Sequence, residues 1–422
     1  MSALSGLWSI AAVMLLGALV STAQAGARSP CSDPIVFDSG VQVHIFPFTT
    51  DTRLTKEGQA LATLLQRHVL FAALKYPSIG VQELISDDSP CNFGQVAGRI
   101  SARLKAGQTG IFMWGRIFEQ DGRIYLKSYV RVKAPADKSE IRWPLAADPQ
   151  ATIITHVPLA IEGFAPRTIP VSFLERLEPS QQMALRIHSE PNAQSSSSPL
   201  PKGVRYSFLV FEARDDWMRV RVKPFDAEGW MPAHALVSGQ ALKGEFPELY
   251  FVDALIGYFS IAGNPEKDRR LFELTRGSFD QYLNVTEGRA EPDARALAMV
   301  LTGNARLRAA GSEWSTATLS AVMNDYQRAA KESPTWTPAQ AHLLANASML
   351  CVRAACEGGA ANLEGRFLGA IARDPLSVDL VNGLSAYYQA AKLHRLTTDL
   401  SPDALQLRAQ KVQSVKSRMS QD

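Results

Sequence analysis

The spacing of apolar residues changes at Phe246, and this change constrains the fold more than any other feature. After Phe246, apolar and small residues recur with the helical period of about 3.6, in segments joined by short turns that contain Pro or Gly. Before it, runs with the alternating period of a strand are common. A series of amphipathic helices buries its apolar faces by stacking on its neighbours. We therefore expect a multidomain protein whose residues 241–422 form a C-terminal α-helical repeat array.

Residues 41–133 predict an α/β unit with the order β-α-β-α-β-β. Two extended runs each precede an amphipathic helix, in the order VQVHIFPF, KEGQALATLLQRHVLFAALK, IGVQELI and FGQVAGRISARLK. Two alternating runs then flank Asp121-Gly122, a pair typical of the two-residue turn of a β-hairpin. These elements predict an α/β N-terminal domain at residues 26–133.

The strand that ends in F-P-F, the long helix and the strand G-I-F-M-W-G-R-I before the hairpin resemble the N-terminal domain of the TolB type. The resemblance covers residues 41–133 and rests on the pattern of elements, without a signature motif. It implies an interaction module and not a catalyst. Related periplasmic domains accompany flagellar outer-membrane proteins and regulatory proteins, which suggests an accessory role in such an assembly as one alternative.

Residues 134–180 are rich in proline and poor in periodic signal. This composition predicts an extended connector. One short strand is expected within it, between Ala151 and Val157.

Residues 181–240 contain three landmarks in order: A-L-R-I-H-S-E-P from Ala184, W-M-R-V-R from Trp217 and G-W-M-P from Gly229. These landmarks resemble those of the bacterial SH3-like domain, which implies a small SH3-like β-barrel. Two features depart from the family pattern. The Ser-rich loop QSSSSP is longer than the usual turn, and KPFDAE stands where a short D-G turn is more common.

Two stretches of the helical part share one spacing, Tyr326-x2-Ala329-x4-Pro334 and Phe367-x2-Ala370-x4-Pro375. This spacing resembles the second helix and turn of tetratricopeptide repeats. The resemblance implies an aromatic ring that packs inward, a small residue where helices meet and a proline that stops the helix. The two stretches are farther apart than the family's roughly 34 residues, and the first-helix pattern Trp-Leu-Gly-Tyr is missing. The predicted repeats are therefore degenerate, with an insertion near Cys356.

The first residues predict secretion. Residues 7–20 are an apolar run, and A-Q-A at 23–25 is an A-x-A cleavage site. We therefore expect a signal peptide at residues 1–25, a periplasmic location, and no transmembrane segment after signal removal. No Lys or Arg precedes the apolar run, so a retained N-terminal anchor is the alternative. The run is, however, shorter than the roughly 20 residues that span a bilayer.

Four cysteines, an even number, suit disulfide formation in an oxidising compartment. Cys31 and Cys91 fall in the predicted α/β domain, and Cys351 and Cys356 fall in the helical part. Of the three possible connectivities we expect these two within-domain pairs. Five positions along a helix turn two side chains roughly 140° apart, so the second bridge requires the helix to end near Ala355. Free thiols packed as small apolar groups are the alternative.

The sequence contains none of the catalytic or ligand motifs that we sought. The seven histidines show no metal-ligand spacing, and neither a G-x-S-x-G elbow nor a G-x4-G-K-[ST] loop occurs. We therefore predict no catalytic, metal or cofactor site. Cys91 opens a predicted helix, as the nucleophile of cell-wall cysteine peptidases does. No His lies on the strands that follow, so a disulfide is the role we expect.

The candidate binding residues lie in the SH3-like segment. Arg219, Arg221 and Lys223 alternate along a predicted strand and therefore share one face. Beside Trp217 and Trp230, this basic strip fits an anionic partner, such as peptidoglycan carboxylates or a protein. The simpler alternative is a solvated outer face. Of the two tryptophans, we expect Trp230 to be buried and Trp217 to be available for binding.

Composition and architecture together predict a surface-presenting protein. A net charge of +3 over 422 residues argues against a dedicated nucleic-acid binder, and the three predicted architectures commonly present surfaces to partners. We therefore predict a non-enzymatic periplasmic scaffold or adaptor that binds envelope proteins through its helical repeats and SH3-like domain, with peptidoglycan as a further candidate ligand. The alternatives are a peptidoglycan hydrolase or its regulator, and an accessory subunit of a flagellar or secretion assembly.

Overall fold

The computed structural model describes most of the chain after residue 34. The described residues are 35–50, 55–72, 74–76, 78–83, 93–161, 164–170, 185–201, 206–235, 246–288, 291–353, 359–394 and a few positions between 403 and 414. None of the helices in these ranges has the length and apolar character of a membrane span. The predicted signal peptide at residues 1–25 lies outside them.

The N-terminal part of the described chain is a mixed sheet with two helices. Its elements are β1 (Val41–Ile45), β2 (Thr49–Thr50), α1 (Thr55–Ala72), β3 (Ile79–Glu83), α2 (Phe93–Arg103), β4 (Thr109–Gln120) and β5 (Arg123–Lys133). Apart from the two-residue β2, they follow the predicted order. β1 pairs in parallel with β3 and β4, and β4 and β5 form the predicted hairpin. At its turn, Asp121 and Gly122 both have the positive φ that a type I′ turn requires.

β1 lies inside this part of the sheet, and all five of its residues are buried. One face of the sheet packs on α1 through residues such as Leu65. The other face packs on α2, where Ile100 and Phe112 share a small apolar cluster. Because both faces are covered, polar residues of β1 need internal partners. The side-chain amide of Gln42 therefore accepts from the backbone N–H of Phe37 and donates to its carbonyl, both at 3.0 Å.

The described part of the segment predicted as a connector contains a short α-helix and four paired strands. They are α3 (Ala136–Ser139), β6 (Glu140–Pro144), β7 (Thr152–His156), β8 (Ala160–Ile161) and β9 (Arg167–Ile169). β7 confirms the predicted short strand and pairs with β6, whereas β8 and β9 pair with β5. Trp143 of β6 is fully buried, with its ring 5.2 Å from that of Trp314 and 6.1 Å from that of Tyr326. The hairpin β6–β7 therefore packs on the helical region.

The strands of the predicted barrel extend the N-terminal sheet. They are β10 (Arg186–His188), β11 (Ser197–Pro199), β12 (Ser207–Arg214), β13 (Trp217–Lys223) and β14 (Ala227–Pro232). β12 pairs antiparallel with β3, so twelve strands of the described residues form one sheet whose main path is β11-β10-β14-β13-β12-β3-β1-β4-β5-β8. Among the described residues, no pairing closes β10–β14 into a barrel. β11 also occupies part of the predicted Ser-rich loop.

Burial explains why β12 joins β3. Phe208 and Val210 of β12 lie opposite Val81 and Ile79 of β3, and all four side chains are buried. Gln66 of α1 adds a polar contact, since its amide donates to the backbone carbonyl that precedes β12 at 2.6 Å. Apolar burial and a satisfied strand edge thus favour one continuous sheet.

The C-terminal part of the described chain is helical, as the period after Phe246 predicts. Its helices are α4 (Glu248–Ser260), α5 (Pro265–Val285), α6 (Pro292–Ala309), α7 (Thr316–Glu332), α8 (Thr337–Arg353), α9 (Ala360–Arg373) and α10 (Val378–His394). Local sequence sets several of their starts. The side chain of Asn264 accepts from the N–H of Lys267, and Ser315 accepts from that of Thr318, which satisfies backbone donors at the starts of α5 and α7.

The two stretches with shared spacing both pack inward. Tyr326 of α7 and Phe367 of α9 are buried, as are Ala329 and Ala370 three positions after them. A Cβ at Gly303 would lie 2.6 Å from the Tyr326 ring, so α6 approaches α7 closely only because this position is glycine. These local predictions are confirmed, and the classification of the repeats stays a prediction.

A buried ion pair joins the sheet to the helical region. Arg167 of β9 donates through both terminal nitrogens to the carboxylate of Glu248 at the start of α4, and the Nη2–Oε2 distance is 2.9 Å. Glu248 is fully buried. Ser128 of β5 donates to its Oε1 at 2.9 Å, and the ring of Phe246 lies 4.9 Å from the guanidinium carbon. Three segments that are distant in the chain therefore meet at one carboxylate.

Two further polar contacts support this joint between the sheet and the helical region. Lys75, just after α1, lies 3.0 Å from the buried carboxylate of Asp253 in α4, to which Ser278 of α5 also donates at 3.1 Å. Lys138 of α3 donates to the backbone carbonyl of Ile261 at 2.8 Å. The sheet, the segment 134–170 and the helical region are thus held together at several points.

Removing the Glu248 carboxylate should destabilise the whole protein. Glu248→Ala leaves Arg167 without its counter-charge, so we expect the free energy of unfolding to fall by about 3 kcal/mol. Glu228→Ala is the matched control, because it removes a more exposed carboxylate that also contacts arginine, and it should cost less than about 1 kcal/mol. Chemical denaturation followed by tryptophan fluorescence measures both values. Equal small losses would contradict the assigned role of Glu248.

Two buried histidines should make stability depend on pH. Burial lowers the pKa of His44 and of His342 to about 4, below the value near 6.5 in an unfolded chain. The unfolded chain therefore binds more protons between these values, so stability is greatest above about pH 7 and declines as the pH falls toward 4. Denaturation at several pH values measures this slope. Replacing both histidines by Gln should flatten it, and an unchanged slope would refute the assignment.

Candidate functional site

The predicted basic strip lies on β13, where its charges are largely neutralised. Arg219, Arg221 and Lys223 share the outward-facing positions of the strand with Trp217, as the alternation predicts. Glu228 of β14 receives hydrogen bonds from Arg219 at 2.7 Å and from Arg221 at 3.0 Å. The bond from Arg221, with that from Arg219, lowers the pKa of the Glu228 carboxyl.

The third cation of the strip is also paired, because Lys223 lies 2.5 Å from Asp226. The strip therefore carries three cations and two carboxylates. This pairing fits the solvated outer face that the sequence analysis gave as the simpler alternative.

The two tryptophans differ in burial as expected. Trp230 is 8% exposed, whereas Trp217 is half-buried. A Cβ at Gly229 would lie 2.5 Å from a methyl carbon of Ile187, so β14 passes close to β10 and fixes the position of Trp230. The ring of Trp217 contacts only one aromatic neighbour among the described residues, His188, edge-to-face at 5.0 Å. Trp217 is therefore the more accessible of the two.

Only one of the four cysteines lies within the described residues. Cys351 is buried in α8, with its sulfur 3.8 Å from the hydroxyl oxygen of Tyr387. Cys31, Cys91 and Cys356 lie outside the described residues, so both pairings stay predictions.

The described residues contain no group of three or more His, Cys, Asp or Glu side chains that could hold a metal ion. Among these residue types, His156 of β7 contacts the carboxylate of Asp379 in α10, with Nδ1 2.8 Å from Oδ1. The other ring nitrogen of His156 lies 3.7 Å from Glu140. These contacts lie at the surface and hold hairpin β6–β7 against α10.

A cleft opens where the sheet meets the helical region. It has a volume of about 930 Å³ and lies between the end of α1, β12, α4 and α5. Its wall carries both signs of charge, with the cations Lys75, Lys267 and Arg270 and the carboxylates Glu212 and Glu266. These residues belong to three separate predicted domains, and they meet because β12 pairs with β3 and because Lys75 at the end of α1 contacts α4.

A second basic surface, which the sequence analysis missed, lies on the β4–β5 hairpin. The register places five cations on one face of the two strands, Arg116, Arg123, Lys127, Arg131 and Lys133. We call these five residues the basic face. Glu119, the one carboxylate within the two strands, falls at a position of the opposite face.

Aromatic rings lie between the cations of the basic face. Trp114 stacks with Tyr129 at 5.3 Å between ring centroids, and Phe118 stacks with Tyr125 at 5.5 Å. The ammonium of Lys127 lies 5.5 Å from the centre of the Tyr129 ring. All four rings are half-buried, so cations and rings share one solvent-facing surface.

The signal for this surface was present in the sequence. Once Asp121-Gly122 is accepted as a two-residue turn, Arg116 must lie opposite Lys127 and Phe118 opposite Tyr125. What the sequence did not show is that the other face of the hairpin is covered. That face packs into the core through Leu126 and Val130, which leaves the basic face toward solvent.

The described structure is a mixed β-sheet joined to a C-terminal helical region. Comparisons with protein-family models, with curated proteins and with solved structures each found no match. The functional assignment therefore rests on the residues and contacts of this chain.

Replacing the two tryptophans separates a structural role from a binding role. Trp230→Ala empties a buried site and should lower the free energy of unfolding by about 3 kcal/mol. Trp217→Ala removes a half-buried ring and should cost about half as much or less. Chemical denaturation measures both, and cosedimentation with purified peptidoglycan tests binding. Loss of cosedimentation with Trp217→Ala alone would assign the strip a ligand, and unchanged cosedimentation would leave it a solvated face.

Proposed function

We propose that the protein is a non-enzymatic scaffold or adaptor of the bacterial periplasm. In this proposal it binds envelope proteins through its helical region, and the strands that resemble an SH3-like domain supply a second surface. The proposal adopts the location and the domain resemblances that the sequence analysis predicts. Its support in the structure comes from exposed apolar side chains and from the joint between the sheet and the helices.

Exposed apolar side chains at the α9–α10 hairpin carry this proposal. Leu368 of α9 is 45% exposed, Leu376 in the turn is 69% exposed and Val378 at the start of α10 is 53% exposed. Leu380 and Val381, which follow directly in α10, are 1% exposed. Large apolar side chains left in water within one helical hairpin are typical of a protein-interaction surface.

Leu376 directly precedes α10, and a side chain at this position can pack on its own helix. The exposure of Leu376 argues against such packing here. Ser377 accepts a hydrogen bond from the N–H of Leu380 at 3.4 Å, which marks the start of the helix. A residue just before such a cap often packs on the first turn of its helix. Leu376 remains mostly exposed, so this packing does not account for it.

The joint between sheet and helices supports a scaffold role. The contacts of Glu248 with Arg167 and Ser128, and of Asp253 with Lys75, tie α4 to the sheet through buried polar groups. Such contacts depend strongly on geometry. A partner bound to the helical region is therefore held in a defined relation to the surfaces of the sheet.

The double variant Leu376→Glu, Val378→Glu should abolish partner capture. Charged side chains at positions 376 and 378 oppose burial of the α9–α10 hairpin in an interface. We therefore expect at least about a tenfold loss of any envelope protein crosslinked to the chain. Affinity purification with crosslinking from the native envelope measures this loss. Phe71→Glu is the matched control, because Phe71 is an exposed apolar residue of α1.

Two outcomes would contradict the proposal. The first is that the double variant and the Phe71→Glu control retain the same proteins in the same amounts as the unchanged chain. The second is that the purified chain clears peptidoglycan in a zymogram and that Cys91→Ala removes this activity. The second outcome would establish the hydrolase alternative.

A further inference from the structure

We propose that the basic face of the β4–β5 hairpin binds the surface of a membrane that contains anionic lipids. This inference goes beyond the scaffold function and involves different residues. It rests on the charge of the face, on the rings between the charges and on the shape of the hairpin.

The basic face is positively charged, and four of its five cations have no ion-pair partner among the described residues. In the part of the chain that the structure describes, no ion pair involves Arg123, Lys127, Arg131 or Lys133. The strip on β13 provides the contrast, since Glu228 there engages both Arg219 and Arg221. Uncompensated cations on one face attract an anionic partner.

The neighbouring helix extends this face. α2 has the sequence FGQVAGRISAR, with two arginines and no carboxylate, and it packs on the same side of the sheet. Its first residue, Phe93, stacks on Trp114 at 3.8 Å between ring centroids. The guanidinium carbon of Arg131 lies 5.7 Å from the Phe93 ring and 5.9 Å from the Trp114 ring. The basic face therefore continues onto the start of α2.

The rings are of the kind that favours a membrane interface. Trp and Tyr have an apolar body and a polar group, and they concentrate at the level of lipid headgroups. Trp114, Tyr125 and Tyr129 lie half-buried between the cations. In that position they can enter the headgroup region while the cations contact lipid phosphates.

The composition of the face distinguishes a lipid surface from an acidic protein. The cores of protein interfaces are poor in lysine, whereas an anionic bilayer attracts lysine and arginine about equally. The basic face has both, with Lys127 opposite Arg116 and Lys133 two residues after Arg131. The two strands extend for about 35 Å, and a bilayer can contact cations along this whole length.

The test is cosedimentation of the full chain with vesicles. Vesicles of phosphatidylglycerol mixed with phosphatidylcholine should retain the chain, and vesicles of phosphatidylcholine alone should retain much less. Removing two cations with Lys127→Gln and Arg131→Gln should weaken binding on the order of 30-fold. Binding should also fall as salt is added, because salt screens the attraction. The apolar run at residues 7–20 is shared by all variants, so it does not explain a difference between them.

The matched control removes two cations from the same sheet. Arg219→Gln with Arg221→Gln causes the same change in net charge, but these arginines are already paired with Glu228, so binding should change by less than about twofold. A second pair, Arg123→Gln with Lys133→Gln, repeats the test without touching the cation–ring contacts. Thermal melts monitored by circular dichroism verify that each variant is folded.

Three results would overturn the proposal. They are absence of binding to the anionic vesicles, equal losses in the basic-face and control variants, and binding that does not depend on phosphatidylglycerol. The variant Leu376→Glu, Val378→Glu should bind vesicles normally. Failure of the membrane proposal is therefore distinguishable from failure of the scaffold proposal.

Discussion

The fold depends on the burial of one carboxylate, that of Glu248. Eleven of the thirteen residues of α4 are buried, and Glu248 is the first of them. A buried carboxylate is costly unless it is paired and hydrogen-bonded. Arg167 and Ser128 supply the donors, and the positive end of the α4 dipole also favours a negative charge there. The docking of the helical region therefore depends on donors from β5 and β9.

Local patterns predicted most elements, whereas contacts between distant segments were not predicted. The hairpin turn needs positive φ at Asp121 and Gly122, which that residue pair supplies, and the helices follow from their period. The pairing of β12 with β3 depends on Phe208 and Val210 finding a partner strand far back in the chain. Alternation shows that such a strand has a buried face, but it does not identify the strand beside it. The barrel expected from the landmark residues was therefore not observed as a closed unit.

Strands β13 and β5 both carry alternating cations, and they show that the surroundings of a candidate site cannot be predicted from its own strand. Alternation placed Arg219 and Arg221 on one face, and the structure confirms it. The same rule applied to β5 would have placed Lys127 and Arg131 together. The difference between the two lies in the neighbouring strand, because β14 brings Glu228 beside the first pair, whereas β4 brings Arg116 and aromatic rings beside the second. Charge in a single strand is therefore a poor guide to the charge of a surface.

β5 links the two proposed surfaces through its alternation. Lys127 and Tyr129 face solvent on the basic face, while Ser128 between them points inward and donates to Glu248. One strand thus contacts the proposed lipid surface on one side and the first residue of the helical region on the other. Arg167 of the neighbouring strand β9 also holds Glu248, so three hydrogen bonds, one from β5 and two from β9, tie the start of α4 to the sheet. A chain held at a membrane by the basic face would consequently present its helical region, and the α9–α10 hairpin, in one orientation to protein partners.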